Sequence, residues 1–112
     1  MAVINQYKFY GVTVTSAKTA NLLSPLISET IIIKSLHITN KSGSNTPTIT
    51  ITNNGFQVIN TQTLSTAASV EILTNPMVVE GNTILQYTTA GTVTDGVVIT
   101  ISYLNIKKEV TT

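Results

Sequence analysis

The sequence predicts an all-β, single-domain antiparallel β-sandwich of about eight strands, with either jelly-roll-like or immunoglobulin-like strand order. The first observation is composition: 46 of the 112 residues are Thr, Ile or Val, and β-branched side chains favour strands over helices. The second is spacing, because short alternating segments are separated by turns rich in Gly, Pro and Asn. The third is length, since 112 residues supply one hydrophobic core but not two.

The N-terminal segment predicts an arm followed by a first strand. The alternation of Val12 and Val14 with threonines predicts a strand over 7–15. Gly11 lies inside it, so we expect a bulge or a close backbone approach there. Residues 1–6 are short and polar, so we expect them to become ordered only on a partner. We place the domain boundary so that residues 1–10 form an N-terminal arm.

The next segment contains the strongest strand signal of the chain. Residues 20–27 are apolar but are interrupted by Pro25, which predicts an edge strand or a loop that plugs the core. Residues 30–40 are apolar at both alternating positions, so we expect a strand that is covered on both faces or lies at a subunit contact. The Gly, Ser, Asn and Pro residues of 41–47 then predict a turn.

A β-hairpin is predicted in the middle of the chain. Residues 48–52 alternate Thr with Ile, and 56–63 return as the partner strand. Between them, Asn54 and Gly55 are the residue types that tolerate the positive φ angles of a type I′ turn.

The last part of the chain predicts more short strands and no helix. Residues 97, 99, 101 and 103 form the most regular apolar face of the sequence. The sandwich domain therefore covers 11–106, and 107–112 form a solvated tail. The further strands are predicted over 70–73, 83–89 and 96–106, the last two paired around a turn at 90–96. The apolar residues 77–79 lead into a turn at 80–82.

The low charge of the chain is the most informative surface feature. Only 10% of the residues are charged and the net charge is +1, whereas about a quarter is usual for soluble domains. Six lysines and no arginine argue against direct nucleic-acid binding. No segment matches a signal peptide or membrane span, so we expect a soluble chain made in a cytoplasm. An uncharged, β-branched surface is tolerated where neighbouring subunits cover it, which favours a component of a larger assembly.

The sequence lacks a recognisable catalytic, cofactor or metal motif. It has no Cys, and His37 is its single histidine, which we interpret as a structural or interface residue. The five carboxylates are scattered over strand ends and turns, with no paired-carboxylate or calcium-loop spacing. Asn40-Lys41-Ser42 matches a glycosylation sequon, a short pattern that carries little information alone. We therefore expect no enzyme activity, no cofactor and no bound metal.

Five segments of the chain follow one another in an order that is typical of a known group of proteins. A strand ends in an Asn turn, a Thr/Ile strand and a small-residue loop follow, and an apolar segment with a Gly-Asn turn leads to a strand ending in Ser-Tyr. These segments are 33–40, 48–52, 65–69, 76–84 and 97–103. In this order the chain resembles small virion proteins of tailed bacteriophages, the capsid decoration (cement) proteins and related head or neck proteins. Where that family often has Gly-Asp, this chain has Gly81-Asn82.

The resemblance implies a non-enzymatic virion protein on the capsid surface. It would bind the outer surface of the major capsid protein lattice in many copies, or as a homo-oligomer, without contacting nucleic acid or membrane. Its modest contacts would become strong through multivalency. The N-terminal residues lie outside the resemblance; from their apolar character we expect a strand-addition or groove contact with the capsid protein. The candidate interface residues are Val3, Ile4, Tyr7, Phe9 and Tyr10.

Two alternatives remain open at this point. A neck, head-fibre or tail component could be built on the same sandwich. A carbohydrate-binding module on the virion surface would instead need exposed aromatic side chains at a loop end, and the cluster of Tyr7, Phe9 and Tyr10 could contribute one. We expect about half of the aromatic residues to pack in the core.

Overall fold

The alternation of β-branched residues is realised as nine strands. A computed structural model describes residues 3–108; Met1, Ala2 and residues 109–112, at the ends of the predicted arm and tail, lie outside the described residues. Within residues 3–108 there is no helix that is long and apolar enough to cross a membrane. The strands are β1 (Val3–Val14), β2 (Thr19–Leu23), β3 (Glu29–Asn40), β4 (Thr48–Asn53), β5 (Phe56–Thr63), β6 (Ala68–Glu71), β7 (Met77–Val79), β8 (Leu85–Ala90) and β9 (Val97–Lys108).

The strands form two antiparallel sheets that pack face to face. Sheet A has the order β1-β9-β3-β6. β7 also pairs with β3, along residues 31–33, whereas β6 pairs with residues 37–40 of the same strand. Sheet B has the order β2-β8-β4-β5. The predicted all-β, antiparallel sandwich is confirmed.

The pairing is nested, which identifies the strand order. β4 pairs with β5, β3 with β6 and β7, β2 with β8, and β1 with β9. The chain therefore pairs with itself as one long hairpin whose successive strand pairs are divided between the two sheets. This is the jelly-roll arrangement, so the choice between jelly-roll and immunoglobulin-like order is resolved by the long-range pairs.

The core lies between the two sheets and is built from alternate residues of each strand. Val97, Ile99 and Ile101 of β9 are fully buried, and Tyr103 packs against the core at its edge. The alternating face predicted in β9 is confirmed.

The predicted central hairpin is also confirmed. Asn53 and Phe56 are the last paired residues of β4 and β5, so the loop consists of Asn54 and Gly55. Their φ angles are 52° and 82°, both positive as a type I′ turn requires.

The predicted pairing of the last two strands is wrong. β8 pairs with β2 and β4 in sheet B, whereas β9 pairs with β1 and β3 in sheet A. Residues 91–96 therefore cross from one sheet to the other instead of closing a hairpin. Adjacency in sequence indicated a hairpin, but each strand buries its apolar face against the opposite sheet.

The N-terminal segment differs from the prediction as well. β1 begins at Val3 rather than at residue 7, and its register with β9 runs unbroken from Val3↔Lys108 to Val14↔Val97. Gly11 is therefore not a bulge, and a Cβ atom there would make only ordinary contacts, the nearest 3.6 Å from the Phe9 ring. The segment 3–10 finds its partner within the same chain, on β9.

The segment around Pro25 divides into an edge strand and an exposed loop. β2 is an edge strand of sheet B, as one of the two alternatives expected, and Leu22 and Leu23 are buried. The other alternative, a core plug, is wrong for Leu26 and Ile27. Both side chains lie in the loop after β2 and are exposed.

Candidate functional site

The first half of β1 projects beyond the sandwich. The molecule measures 55 × 22 × 22 Å along its principal axes. All six residues from Ile4 to Phe9 are exposed, whereas Tyr10 and Val12 pack against the core and Val14 is buried. Sheet B therefore covers the inner face of β1 only from about Tyr10 onwards. The projecting part is held by β9 alone, which leaves both of its faces accessible.

Strand alternation divides the predicted interface residues between these two faces. Tyr7 and Phe9 point to the outer face of sheet A, because successive side chains of a strand alternate. Ile4 and Tyr10 have the opposite parity and lie on the inner face. Val3 pairs with Lys108 at the end of β1. The side chain of Val3 is not among those that the structure describes. The predicted cluster of Tyr7, Phe9 and Tyr10 is therefore split.

An apolar belt crosses the outer face of sheet A at this end. Tyr7 is the cross-strand partner of Leu104, Leu104 of Ile32, and Ile32 of Val78. Cross-strand partners are in side-chain contact range, and four adjacent strands span about 15 Å. Phe9 and Ile106 lie two positions away along their strands. We call these six residues the apolar belt: Tyr7, Phe9, Ile32, Val78, Leu104 and Ile106.

Loop residues add apolar surface at the same end. Leu26 and Ile27 follow the buried Pro25 and are 62% and 84% exposed, and Ile84 is also exposed. The loop is held in place because the Glu29 N–H donates to the Leu26 carbonyl at 2.8 Å. These side chains are exposed on an ordered loop.

Exposed large apolar side chains are therefore concentrated at one end of the molecule, which we call the apolar end. The loops at the opposite end, residues 15–18, 41–47, 64–67 and 91–96, contain mainly Ser, Thr, Asn and Gly. Of the residues that the structure describes, all eight exposed large apolar residues lie at the apolar end: Ile4, Tyr7, Phe9, Leu26, Ile27, Phe56, Val78 and Ile84.

Sequence reasoning found only three of these eight residues, namely Ile4, Tyr7 and Phe9. Leu26 and Ile27 are apolar residues next to Pro25. The sequence predicts them in an edge strand or in a loop that plugs the core, and not on an exposed surface. Val78 of β7 reaches this end through the pairing of β3 with β7, and Ile84 reaches it through the pairing of β8 with β2 and β4.

The inner face of the projecting strands carries a small polar network. Glu29 accepts hydrogen bonds from the Leu26 N–H at 2.8 Å and from Asn105 Nδ2 at 3.2 Å. Lys107 is the cross-strand partner of Glu29. Burial raises the pKa of the Tyr103 hydroxyl, and the charge of Glu29 adds to this effect.

The single histidine has a structural partner. His37 Nε2 lies 3.4 Å from Glu71 Oε1, across the β3–β6 pair on the outer face of sheet A. The other carboxylate oxygen, Oε2, accepts the backbone N–H of Leu36 at 2.8 Å. Glu71 therefore completes the hydrogen bonding of β3 where its pairing passes from β6 to β7.

The sequon asparagine is not accessible to modification. Asn40 is 1% exposed, and its Nδ2 donates to the carbonyl groups of Asn45 and Ser65 at 2.9 and 3.2 Å. Its Oδ1 accepts the Ser42 N–H at 3.1 Å. Asn40 holds together the two turns that follow β3 and β5. Across residues 3–108, the His, Asp and Glu side chains form no group of three that could hold a metal ion.

No protein-family model matches this chain, and no curated protein sequence is significantly similar to it.

Proposed function

We propose that this chain is a non-enzymatic structural protein of a tailed-bacteriophage virion, a capsid decoration (cement) protein that docks on the outer surface of the major capsid protein lattice. The observation that carries the proposal is the concentration of exposed large apolar side chains at one end of the jelly roll. Exposed apolar surface that is concentrated in one region is characteristic of protein–protein contact sites.

The apolar end supplies the binding free energy. Tyr7 and Phe9 are 78% and 70% exposed, and buried aromatic anchors contribute most of the energy of protein interfaces. Each copy needs only a modest contact, because a shell that presents many equivalent sites is stabilised by the sum of them. The opposite, Ser- and Thr-rich end then faces the medium.

The free edge of β1 supports strand addition as the mode of docking. β1 has 12 residues and an unbroken register with β9, and its outer edge has no neighbour in sheet A. Sheet edges are usually protected by short length, proline, bulges or inward charges. β2 and β5 have irregular registers, and β6 and β7 have four and three residues. β1 has only Lys8 as an inward charge, so it is the most receptive edge.

A reconstitution experiment tests the proposal. Heads of the source phage assembled without this protein are incubated with the purified chain, and bound copies are counted by cryo-electron microscopy. We expect hundreds of copies on the outer lattice and heads that withstand a higher temperature. Bare heads would overturn the proposal, and about a dozen copies at one vertex would indicate a neck or tail component instead.

Matched variants locate the contact. We expect the double variant Tyr7→Ala/Phe9→Ala to bind at least about tenfold more weakly, since both are exposed anchors. The control is Thr92→Ala/Thr94→Ala, at the opposite end, which keeps wild-type binding. Equal loss in both variants would contradict docking through the apolar end.

A further inference from the structure

We infer that the cleft beside Phe56 is a binding site for a neutral saccharide. The cleft has a volume of about 350 Å³, at the lower end of the range of small-molecule sites, about 300–1,000 Å³. It lies where the edge of sheet B, β5, meets the edge of sheet A, β7. The inference goes beyond the proposed capsid-binding function and does not depend on it.

The local fold presents the Phe56 ring to solvent. The Asn54-Gly55 turn places Phe56 at the first position of β5, where its side chain is 75% exposed. Asn53 Nδ2 donates to the Val78 carbonyl at 2.9 Å and so ties β4 to β7 across the floor of the cleft. Thr83 Oγ1 donates to the Glu80 carbonyl at 2.7 Å and fixes the opposite wall. The cleft is preformed.

Polar side chains line the cleft together with Phe56 and are free to bind a ligand. Asn54 and Glu80 are exposed, and their side chains have no hydrogen-bond partner among residues 3–108. The amide supplies both donors and an acceptor, and the carboxylate supplies acceptors. Asn53 uses its Nδ2 and keeps its Oδ1 for a ligand.

This environment distinguishes Phe56 from the other exposed apolar residues. Tyr7 lies beside Leu104 in the apolar belt, and Leu26 lies beside Ile27. Phe56 instead shares a cleft with the polar side chains of Asn54 and Glu80. A protein contact would leave the amide and the carboxylate to be desolvated without assured partners, at a cost of about 1–3 kcal/mol each.

A saccharide matches this set of groups. One face of a pyranose ring consists of C–H groups, which pack on an aromatic ring, and its equatorial hydroxyls point outward in the ring plane. Each hydroxyl both donates and accepts a hydrogen bond, which suits the amide of Asn54 and the carboxylate of Glu80. The cleft lining has one negative charge and no positive one, so it favours a neutral sugar over a phosphorylated or acidic one.

Glycan binding by the purified full-length chain tests the inference. The probe is an array of neutral oligosaccharides of glucose, galactose, mannose and N-acetylglucosamine, followed by calorimetric titration with the strongest binder. We expect binding that is reduced at least about tenfold by Phe56→Ala and retained by Phe56→Tyr. Circular dichroism verifies that each exposed-site variant remains folded.

Tyr7→Ala provides the matched control, an exposed aromatic residue outside the cleft. It should bind the oligosaccharide as the wild type does. Absence of binding to any saccharide on the array would overturn the inference. So would loss of saccharide binding in Tyr7→Ala with retention in Phe56→Ala. Failure of capsid binding by the wild-type protein would overturn only the proposed function.

Discussion

Glu29 and Asn105 join β3 to β9 where these strands extend past the sandwich: Glu29 Oε2 accepts a hydrogen bond from Asn105 Nδ2 at 3.2 Å. The other carboxylate oxygen accepts the N–H of Leu26 at 2.8 Å. One carboxylate therefore fixes the strand pair of the projecting end and the exposed loop beside it.

This arrangement makes stability depend on pH. The Leu26 N–H lowers the pKa of Glu29, burial opposes this effect, and Asn105, Lys107 and Lys8 lower it further. Because the folded state favours the ionised form, the stabilisation is complete above the unfolded pKa of about 4.3 and is lost as pH falls through the lower, folded value. We expect the wild type to lose more unfolding free energy between pH 6 and pH 3 than Glu29→Gln, in urea titrations.

At pH 7 we expect Glu29→Gln to be less stable by about 1 kcal/mol, the usual net contribution of a hydrogen bond. The control, Glu80→Gln, changes an exposed carboxylate and should stay within about 0.5 kcal/mol of the wild type. An identical pH dependence of the wild type and Glu29→Gln would contradict this role of the carboxylate.

Gly81 is required by the packing of two loops. A Cβ atom at this position would lie 2.7 Å from the carbonyl oxygens of Leu26, Ile27 and Glu29. These are backbone atoms, so the loop must move, and we expect Gly81→Ala to cost about 1–3 kcal/mol of unfolding free energy. The matched control is Gly43→Ala, which has no atom within 4 Å of the added Cβ. Equal midpoints of thermal unfolding in the two variants would refute this explanation.

The core and the apolar end should respond differently to the same substitution. Ile38 is fully buried, and Ile38→Ala is expected to cost about 2–5 kcal/mol. Ile27 is 84% exposed, so Ile27→Ala should change stability by less than about 0.5 kcal/mol. Denaturant titrations give both values. A large loss of stability in Ile27→Ala would show that the loop after β2 is packed in solution and does not offer a docking surface.

Asn40 should be difficult to replace. Asn40→Ala leaves the Ser42 N–H and the carbonyl groups of Asn45 and Ser65 without their side-chain partner, in a site that is almost fully buried. We expect a loss of about 2–4 kcal/mol, since a buried unpaired polar group costs about 1–3 kcal/mol. Asn45→Ala keeps the backbone carbonyl and should be nearly neutral. Thermal unfolding of the two variants distinguishes a side-chain network from a general sensitivity of this turn.

Replacing His37 and replacing Glu71 should change the free energy of unfolding by different amounts, although the two side chains contact each other. Both side chains are partly exposed, at 49% and 34%, so His37→Ala should change stability by less than about 1 kcal/mol. Glu71→Ala should cost more, about 1–3 kcal/mol, because the Leu36 N–H loses its acceptor. Equal effects in urea titrations would indicate that the contact with His37, and not the bond to Leu36, is the main contribution of Glu71.

Local sequence patterns correctly predicted the elements whose structure depends only on residues that are adjacent in the sequence. The prediction of a turn at Asn54-Gly55 was correct because these two residue types tolerate the positive φ angles that the turn requires. The buried face of β9 was correct because alternation alone determines which side chains share a face.

The candidate site was predicted only in part. Tyr7 and Phe9 were identified by their apolar character, but Tyr10 lies on the other face of β1, and Gly11 interrupts no register. Leu26, Val78 and Ile84 come from three separate segments, and nothing in their local sequence indicates that they lie at the same end of the molecule.

The sequence by itself determined three properties of this chain: its antiparallel sandwich fold, the position of its central hairpin turn and the set of β9 side chains that are buried. These properties follow from backbone preferences and from the two-residue period of a strand. Only the tertiary structure decided the jelly-roll order, the placement of β8 and β9 in different sheets, and the gathering of exposed apolar residues at one end. These depend on pairs such as Tyr7 with Leu104 and Ile32 with Val78, and the many strand orders open to one alternating pattern differ only in such long-range contacts.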